Sequence, residues 1–185
     1  GIVALGIDSK NIRAIANKIK KPIVTYGIVE DAIVKAKNLI FNNNHTEFEL
    51  FYKNKLLGNI KLNIPGEHNV LNALGAISIA LELNISFENI YNGLKSYKGV
   101  RRRFEITNIT KNNVMIVDDY AHHPSEVCAT LKAAKKGWGR RIIAIFQPHL
   151  FSRTRDFYKD FAKSFMNADL LFISDIYGAR EKPID

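Results

Sequence analysis

Four short stretches gather the residue types that do chemistry. The first, Gly66-Glu67-His68-Asn69-Val70-Leu71-Asn72, stands where a helix begins. Helix starts expose unbonded N–H groups and a partial positive charge, and an asparagine amide offers both donor and acceptor edges suited to a purine. Capping uses the same residue types, so capping and ligand binding both stay open here. The second stretch, Arg101-Arg102-Arg103-Phe104-Glu105, holds the one dense run of positive charge. A guanidinium beside a cleft makes forked contacts with phosphate, whereas in a solvated turn it serves only solubility.

The third stretch, Asp118-Asp119-Tyr120-Ala121-His122-His123-Pro124, lies between an apolar strand and a helix. Ligands of open α/β sheets gather beyond the carboxyl ends of strands, and this segment is at such an end. Two carboxylates and two imidazoles are also metal-ligand types. Adjacent residues point apart, however, so a metal site built from all four is not expected. The fourth stretch, Phe146-Gln147-Pro148-His149-Leu150-Phe151-Ser152-Arg153-Thr154-Arg155, follows the next strand. It holds the equivalent position one βα unit later, so the third and fourth can face one crevice, with Arg153 suited to holding a carboxylate.

The elements that must position these groups follow from periodicity. Residues 2–7 are a short apolar strand, and Ser9 caps a helix carrying Ile12, Ile15 and Ile19 that Pro22 stops. Ile23 to Tyr26 reads as a buried strand. Ala32 to Phe41, Glu47 to Tyr52 and Leu56 to Leu62 read as further strands, joined by turns at Asn42-Asn43-Asn44 and Lys53-Asn54 into a meander or hairpins. After Pro65-Gly66, Asn69 to Leu83 has helical spacing with many small residues, and Ser86 caps a helix from Phe87 to Tyr97 that ends at Gly99.

Beyond Gly99 strand and helix alternate. Phe104 to Thr107 and Val114 to Val117 are strand candidates, Pro124 to Lys136 a helix with proline at its start, and Arg141 to Phe146 an apolar strand. Thr154 to Met166 is a helix and Leu170 to Ser174 a strand. This βαβαβ order predicts a parallel sheet covered by helices, with a domain boundary near Lys98 to Arg102. The unfinished sheet at Lys182-Pro183-Ile184-Asp185 leads us to expect a fragment of a longer chain.

Composition excludes several classes. Hydrophobic residues at 46% and charged residues at 24% fit a folded protein with a proper core. No apolar run approaches the ~20 residues of a membrane helix, and no secretory signal opens the chain. A cytoplasmic protein without membrane partners is therefore expected. The single cysteine, Cys128, agrees with a reducing compartment. The N-x-S/T triplets at Asn44, Asn84 and Asn108 carry no weight without export. A net charge of +9 invites a nucleic-acid reading, but the lysines are scattered and no RNA-binding or zinc-finger pattern accompanies the arginines, so no nucleic-acid partner is expected.

Taken in order, the blocks P-G-E-H-N-V-L-N-A-L-G-A, G-V-R-R-R-F-E, D-D-Y-A-H-H-P-S-E, F-Q-P-H-L-F-S-R-T-R and D-I-Y-G-A-R-E-K-P-I resemble those of the UDP-N-acetylmuramate:L-alanine ligases, within the Mur ligase family. The resemblance covers nearly the whole chain, and its last three blocks are specific. It implies an α/β fold in two parts. Residues 1–98 would be the end of a central ATPase domain, helices plus β-hairpins, and residues 99–185 the start of a partial Rossmann-like parallel α/β domain.

The same resemblance implies roles. His68, Asn69 and Asn72 look like adenine-side contacts, Arg103 like the arginine that approaches the ATP phosphates, and Asp119 like the carboxylate that binds ribose. Tyr120, His122 and Arg153 look like the groups around the incoming alanine, and Arg103, His122 and Arg153 take the catalytic roles. Leu150 departs from the commonest pattern, which has arginine there, so a carboxylate clamp would rest on Arg153. The implied reaction is amide formation in peptidoglycan precursor synthesis: ATP phosphorylates the lactyl carboxylate of UDP-N-acetylmuramate, and the L-alanine amine displaces phosphate. The Mg²⁺ ligands are expected upstream, with none in this segment. No G-x-x-x-x-G-K-[ST] occurs in the chain, so the segment alone is expected to be inactive without its missing N-terminal and P-loop regions.

Two rival readings remain at this stage. A muropeptide-recycling ligase, which attaches a whole tripeptide to the same sugar, shares a similar D-D-[YF]-A-H-H-P block but differs at S-R-T-R. A non-catalytic nucleotide-binding module would bind ATP without turnover, and doubly wound sheets host both kinds of function.

Overall fold

Buried Thr46, Phe48 and Leu50 alternate with partly exposed Glu47 and Glu49, the period of a strand with one face on a core. In the computed structural model, which describes residues 1–42 and 44–184, that strand lies in the first of two compact units, Gly1–Lys98 and Gly99–Asp185. Asn43, the centre of the expected Asn42-Asn43-Asn44 turn, and Asp185 lie outside the described residues.

The first unit holds a sheet in the order β1 (Val3–Gly6), β2 (Ile23–Gly27), β3 (Val34–Phe41), β4 (Thr46–Tyr52), β5 (Lys55–Leu62). The first two pairings are parallel, with α1 (Lys10–Ala16) between β1 and β2, and the last two are the antiparallel meander expected from the sequence. Ser9 caps α1 as expected, its side chain accepting from the Ile12 amide. The helix stops at Ala16 rather than running to Pro22. There the Lys18 and Ile19 amides bond to carbonyls three residues back, tightening the last turn and bringing Ile19 onto the small cluster of Leu5, Ile7 and Ala32.

α2 (Glu67–Glu82) and α3 (Phe87–Ser96) complete this core. Val70, Leu74 and Ile77 recur at three- and four-residue spacing and are essentially inaccessible, each contributing about 1.5–3 kcal/mol by its burial. The small residues of α2 have a specific use. A Cβ added at Gly75 would come within 3.2 Å of the Tyr26 ring, and one at Gly6 within 3.1 Å. Tyr26 thus fills the space that two glycines leave open.

In the second unit, β6 (Glu105–Ile109) and β7 (Met115–Asp118) form an antiparallel hairpin, and β8 (Ile143–Phe146) and β9 (Leu170–Ile173) pair in parallel. The expected single parallel ladder is therefore met at β8 and β9, while the ladder of β7 among the described residues runs antiparallel to β6. Few residues separate β6 from β7, too few for the crossover that parallel pairing needs. α4 (Pro124–Trp138) and α5 (Phe151–Ser164) cover one face of β8 and β9, burying Val127, Leu131, Phe146 and Phe161 together. Ile143, Ile145 and Phe172 on the alternate positions stay exposed.

Helix α4 starts with Pro124 and a reciprocal cap in which the Glu126 side chain accepts from the His123 amide. It ends at Gly139, whose φ of 56° is the left-handed closure glycine favours. Helix α5 begins three residues earlier than its periodicity suggests, because Leu150 turns the chain with φ 73°. That shift puts Arg153 inside the first turn of the helix rather than ahead of it.

Candidate functional site

The site in the second unit is built from loops at the ends of β7, β8 and β9. The arginine turn comes first. Arg102 and Phe104 both take left-handed backbone angles, φ 57° and 49°, which non-glycine residues adopt only where the surroundings enforce them. Here the Arg102 amide donates to Glu105 at 2.7 Å, its carbonyl accepts the Tyr120 amide at 2.7 Å, and the buried Phe104 ring stacks on Trp138.

Asp119 completes that anchorage. Its Oδ2 accepts the Phe104 amide at 2.8 Å and the Thr130 hydroxyl at 3.0 Å, and its Oδ1 accepts the Ala121 amide at 2.8 Å. In this structure the carboxylate that the resemblance assigns to ribose holds its own chain.

Glu126 links the turn to the following helix. One oxygen faces Arg103 Nη1 at 3.1 Å, and the other accepts the amides of His122 and His123 at 3.0 and 3.2 Å. Burial pushes this carboxyl up, but the His122 amide, the Arg103 guanidinium, the His123 amide and the nearby His122 ring outweigh it and hold it below the usual carboxylate range.

A row of rings then runs across the loops. The Arg102 guanidinium lies 4.8 Å from the Tyr120 ring centre, Tyr120 meets His122 edge-on at 5.1 Å, and His122 is 6.2 Å from His149. His149 sits 5.6 Å from Tyr177 and 3.4 Å, through Nδ1, from Arg153 Nη1. The third and fourth sequence stretches thus meet through His122 and His149.

The two adjacent histidines of the third stretch point apart, as their spacing demands. His122 joins the row, and His123 packs on Phe157 at 4.9 Å and caps α4. His122 Nδ1 lies 2.8 Å from the Tyr120 carbonyl, an acceptor only, so that nitrogen carries the proton and neutral His122 keeps its lone pair on Nε2.

The fourth stretch is zipped to the loop after β9. The Leu150 amide donates to the Tyr177 carbonyl at 2.9 Å, and the Tyr177 amide to Pro148 at 2.8 Å. Glu181 accepts both the amide and the hydroxyl of Ser152 at the start of α5. Those bonds, the side-chain one foremost, hold its carboxyl below the usual range.

In the first unit, His68, Asn69 and Asn72 lie on the opening turns of α2 after Gly66, whose φ of 103° suits glycine. The Asn69 amide nitrogen donates to the Pro65 carbonyl at 2.6 Å, and Asn72 is exposed. No side chain caps this helix start: Asn69 ties back to the preceding loop, and Asn72 presents an outward polar edge. No group of three His, Cys, Asp or Glu among the described residues is arranged to hold a metal, and no described helix is long and apolar enough to cross a membrane.

His149, Tyr177, Glu126 and Thr130 are contributors that the sequence reading did not single out. Glu126 had a signal, three residues after the cap position, but His123 is not one of the usual capping types.

Comparison with known proteins gives matches over both units. The Mur ligase middle domain matches residues 1–80, and the Mur ligase glutamate ligase domain residues 102–183. The UDP-N-acetylmuramate–L-alanine ligase of Geotalea daltonii is 45% identical over 100% of this chain and 40% of its own length. That of Clostridium acetobutylicum is 45% identical over 98% of this chain and 40% of its own. The chain thus spans about 40% of the length of the curated relatives it matches. Among solved structures, the UDP-N-acetylmuramate-alanine ligase of Thermotoga maritima superposes with a TM-score of 0.72 at 31% identity, over 83% of this chain and 34% of that one. The MurF ligase of the same organism, solved with ADP, reaches 0.74 at 18% identity over 94% of this chain and 40% of that one, a likeness of fold.

Proposed function

Because the chain belongs to the Mur ligase family, we propose that the whole protein is an ATP-dependent ligase joining L-alanine to UDP-N-acetylmuramate in peptidoglycan precursor synthesis. In this reading the first unit is the end of the central ATP-binding domain and the second the beginning of the Rossmann-like domain. The observation that carries it is the row Tyr120, His122, His149, Arg153, which joins two βα loops around one guanidinium in the first turn of a helix.

The chemistry follows from those groups. An amino acid presents a carboxylate and an ammonium. A guanidinium at a helix start receives the carboxylate with both charge and N–H donors. The ammonium must lose a proton before its lone pair can attack, and the free Nε2 of His122 is the base at hand. The activated sugar carboxylate then forms a C–N bond to the amine while its bond to the phosphate oxygen breaks, releasing phosphate. Arg103, held by Glu126 on the rim, supplies positive charge toward the transferred phosphoryl group, the kind of stabilisation such reactions depend on. His68, Asn69 and Asn72 supply the adenine edge, and Asp119 contacts the ribose with lone pairs its chain bonds do not use. Mg²⁺ is assigned to no residue of this segment.

Phosphate release by the full-length protein, given ATP and UDP-N-acetylmuramate, tests the reading. We expect it to depend on L-alanine. Release with a tripeptide and none with alanine would favour the recycling reaction, and none with either would leave a binding module. Residues 1–185 alone are expected to give no turnover, and measurable ligation by the purified segment would overturn that.

A further inference from the structure

We propose that His149 is a positioning residue for the amino-acid carboxylate, acting by aiming Arg153. The proposal rests on the alanine-ligase reading. Arg153 Nη1 lies 3.4 Å from His149 Nδ1 and also 3.4 Å from the His149 carbonyl, so one N–H edge of the guanidinium is shared between two acceptors of a single residue. These are long contacts for hydrogen bonds, but they fall on the same nitrogen and act together. No hydrogen bond from Nη2 or Nε is found among the described residues, which leaves the other edge of the fork for a carboxylate.

Arginine does not give up its proton, so the contact requires the lone pair on Nδ1 and the proton on Nε2. His122 needs the reverse, because its Nδ1 donates to a carbonyl. Two neighbouring imidazoles are thus fixed in opposite tautomers, one presenting a base and the other orienting a cation. His149 is itself well held. Its backbone bridges in parallel to Tyr177, its ring lies between those of His122 and Tyr177, and Leu150 after it is locked by its bond to the Tyr177 carbonyl. A half-buried ring fixed on this many sides can hold the flexible arginine stem in one orientation, at less entropic cost on binding.

The test uses the full-length ligase and two substitutions. His149→Phe keeps a ring against His122 and Tyr177 but has no acceptor, whereas His149→Asn can put its Oδ1 where Nδ1 lies. We expect His149→Phe to raise KM for L-alanine about tenfold, the scale of one hydrogen bond to a charged group, with KM for ATP and for UDP-N-acetylmuramate unchanged. We expect His149→Asn to recover most of that loss. Equal KM for alanine in wild type and His149→Phe, a rise in all three constants together, or no rescue by asparagine would overturn the role of His149 while leaving the ligase reading intact. Absence of alanine-dependent turnover in the wild type would overturn both.

Discussion

The Asp119 carboxylate accepts the amide of Phe104 at 2.8 Å, tying the loop after β7 to the arginine turn ahead of β6. The turn is strained at Arg102 and Phe104, and this bond with those of Thr130 and Ala121 is what makes the strain sustainable. Asp119→Asn would set an amide N–H₂ or a lone acceptor against three donors that the carboxylate satisfies. We expect a loss of about 1–3 kcal/mol in the second unit. Trp138, the only tryptophan in the chain, stacks on Phe104 at 5.1 Å, so its fluorescence through a denaturant titration reads this unit directly. An unshifted midpoint would show that the turn does not depend on Asp119.

The same fluorescence tests the Glu126 bridge against pH. Glu126 titrates below the ordinary glutamate range in the folded chain, despite the burial that raises it, because two amides and Arg103 favour its charged form. A carboxyl lowered on folding adds stability that is complete above its unfolded value and disappears as pH falls through its folded value. Asp169, held chiefly by the Ile142 amide and by Lys135, and Glu181, held chiefly by Ser152, act in the same direction. The second unit should therefore hold its stability from neutral pH down to the ordinary carboxylate range and weaken as pH falls below it. In Glu126→Gln the slope should be shallower but not flat, and an identical slope would remove Glu126 from the account.

Much of this was legible in the chain because local chemistry agreed with the tertiary outcome. The alternation along Thr46–Tyr52, the serine caps at Ser9 and Ser86 and Pro124 at a helix start each express one short-range rule, and each element forms. The β6–β7 hairpin was also within reach, since Lys111-Asn112-Asn113 is a turn sequence between strands too close for a parallel crossover. The start of α5 was not. Leu150 carries no local sign of a left-handed angle, which is imposed by the Tyr177 carbonyl arriving from the loop after β9. His149 was hidden for the same reason, since its partners come from two other loops and from the first turn of α5. Asp119 shows the limit from the other side: residue type announced a functional carboxylate, but only coordinates reveal that three donors of its own chain already converge on it.

Arg153 carries the sharpest functional expectation. In the full-length enzyme, Arg153→Ala should lower kcat/KM for L-alanine about a hundredfold, the scale of losing a forked, charge-assisted contact. KM for ATP should stay near its original value. Arg153→Lys keeps the charge but loses the fork, so its activity should fall between the two. Steady-state kinetics with alanine varied at saturating ATP and nucleotide sugar measures this. A lysine variant as active as wild type would mean that the fork is not used.

Leu150 tests whether the geometry around this arginine is strained. Its φ of 73° with ψ 132° lies where side chains are crowded and glycine is at ease. The backbone is held there from both directions, by the Leu150 amide on Tyr177 and by the Thr154 amide and hydroxyl on the Leu150 carbonyl at 3.1 and 2.8 Å. Replacing the half-buried leucine loses its packing whichever residue follows, so the informative comparison is between two replacements without a long side chain. Alanine keeps the Cβ and the strain, whereas glycine removes both. We expect Leu150→Gly to be more stable than Leu150→Ala by about 1–2 kcal/mol in denaturant unfolding followed at Trp138, with alanine-dependent activity retained in both. Alanine equal to or more stable than glycine would mean that the chain does not turn through the left-handed region here, and that α5 does not begin where it must to carry Arg153 in its first turn.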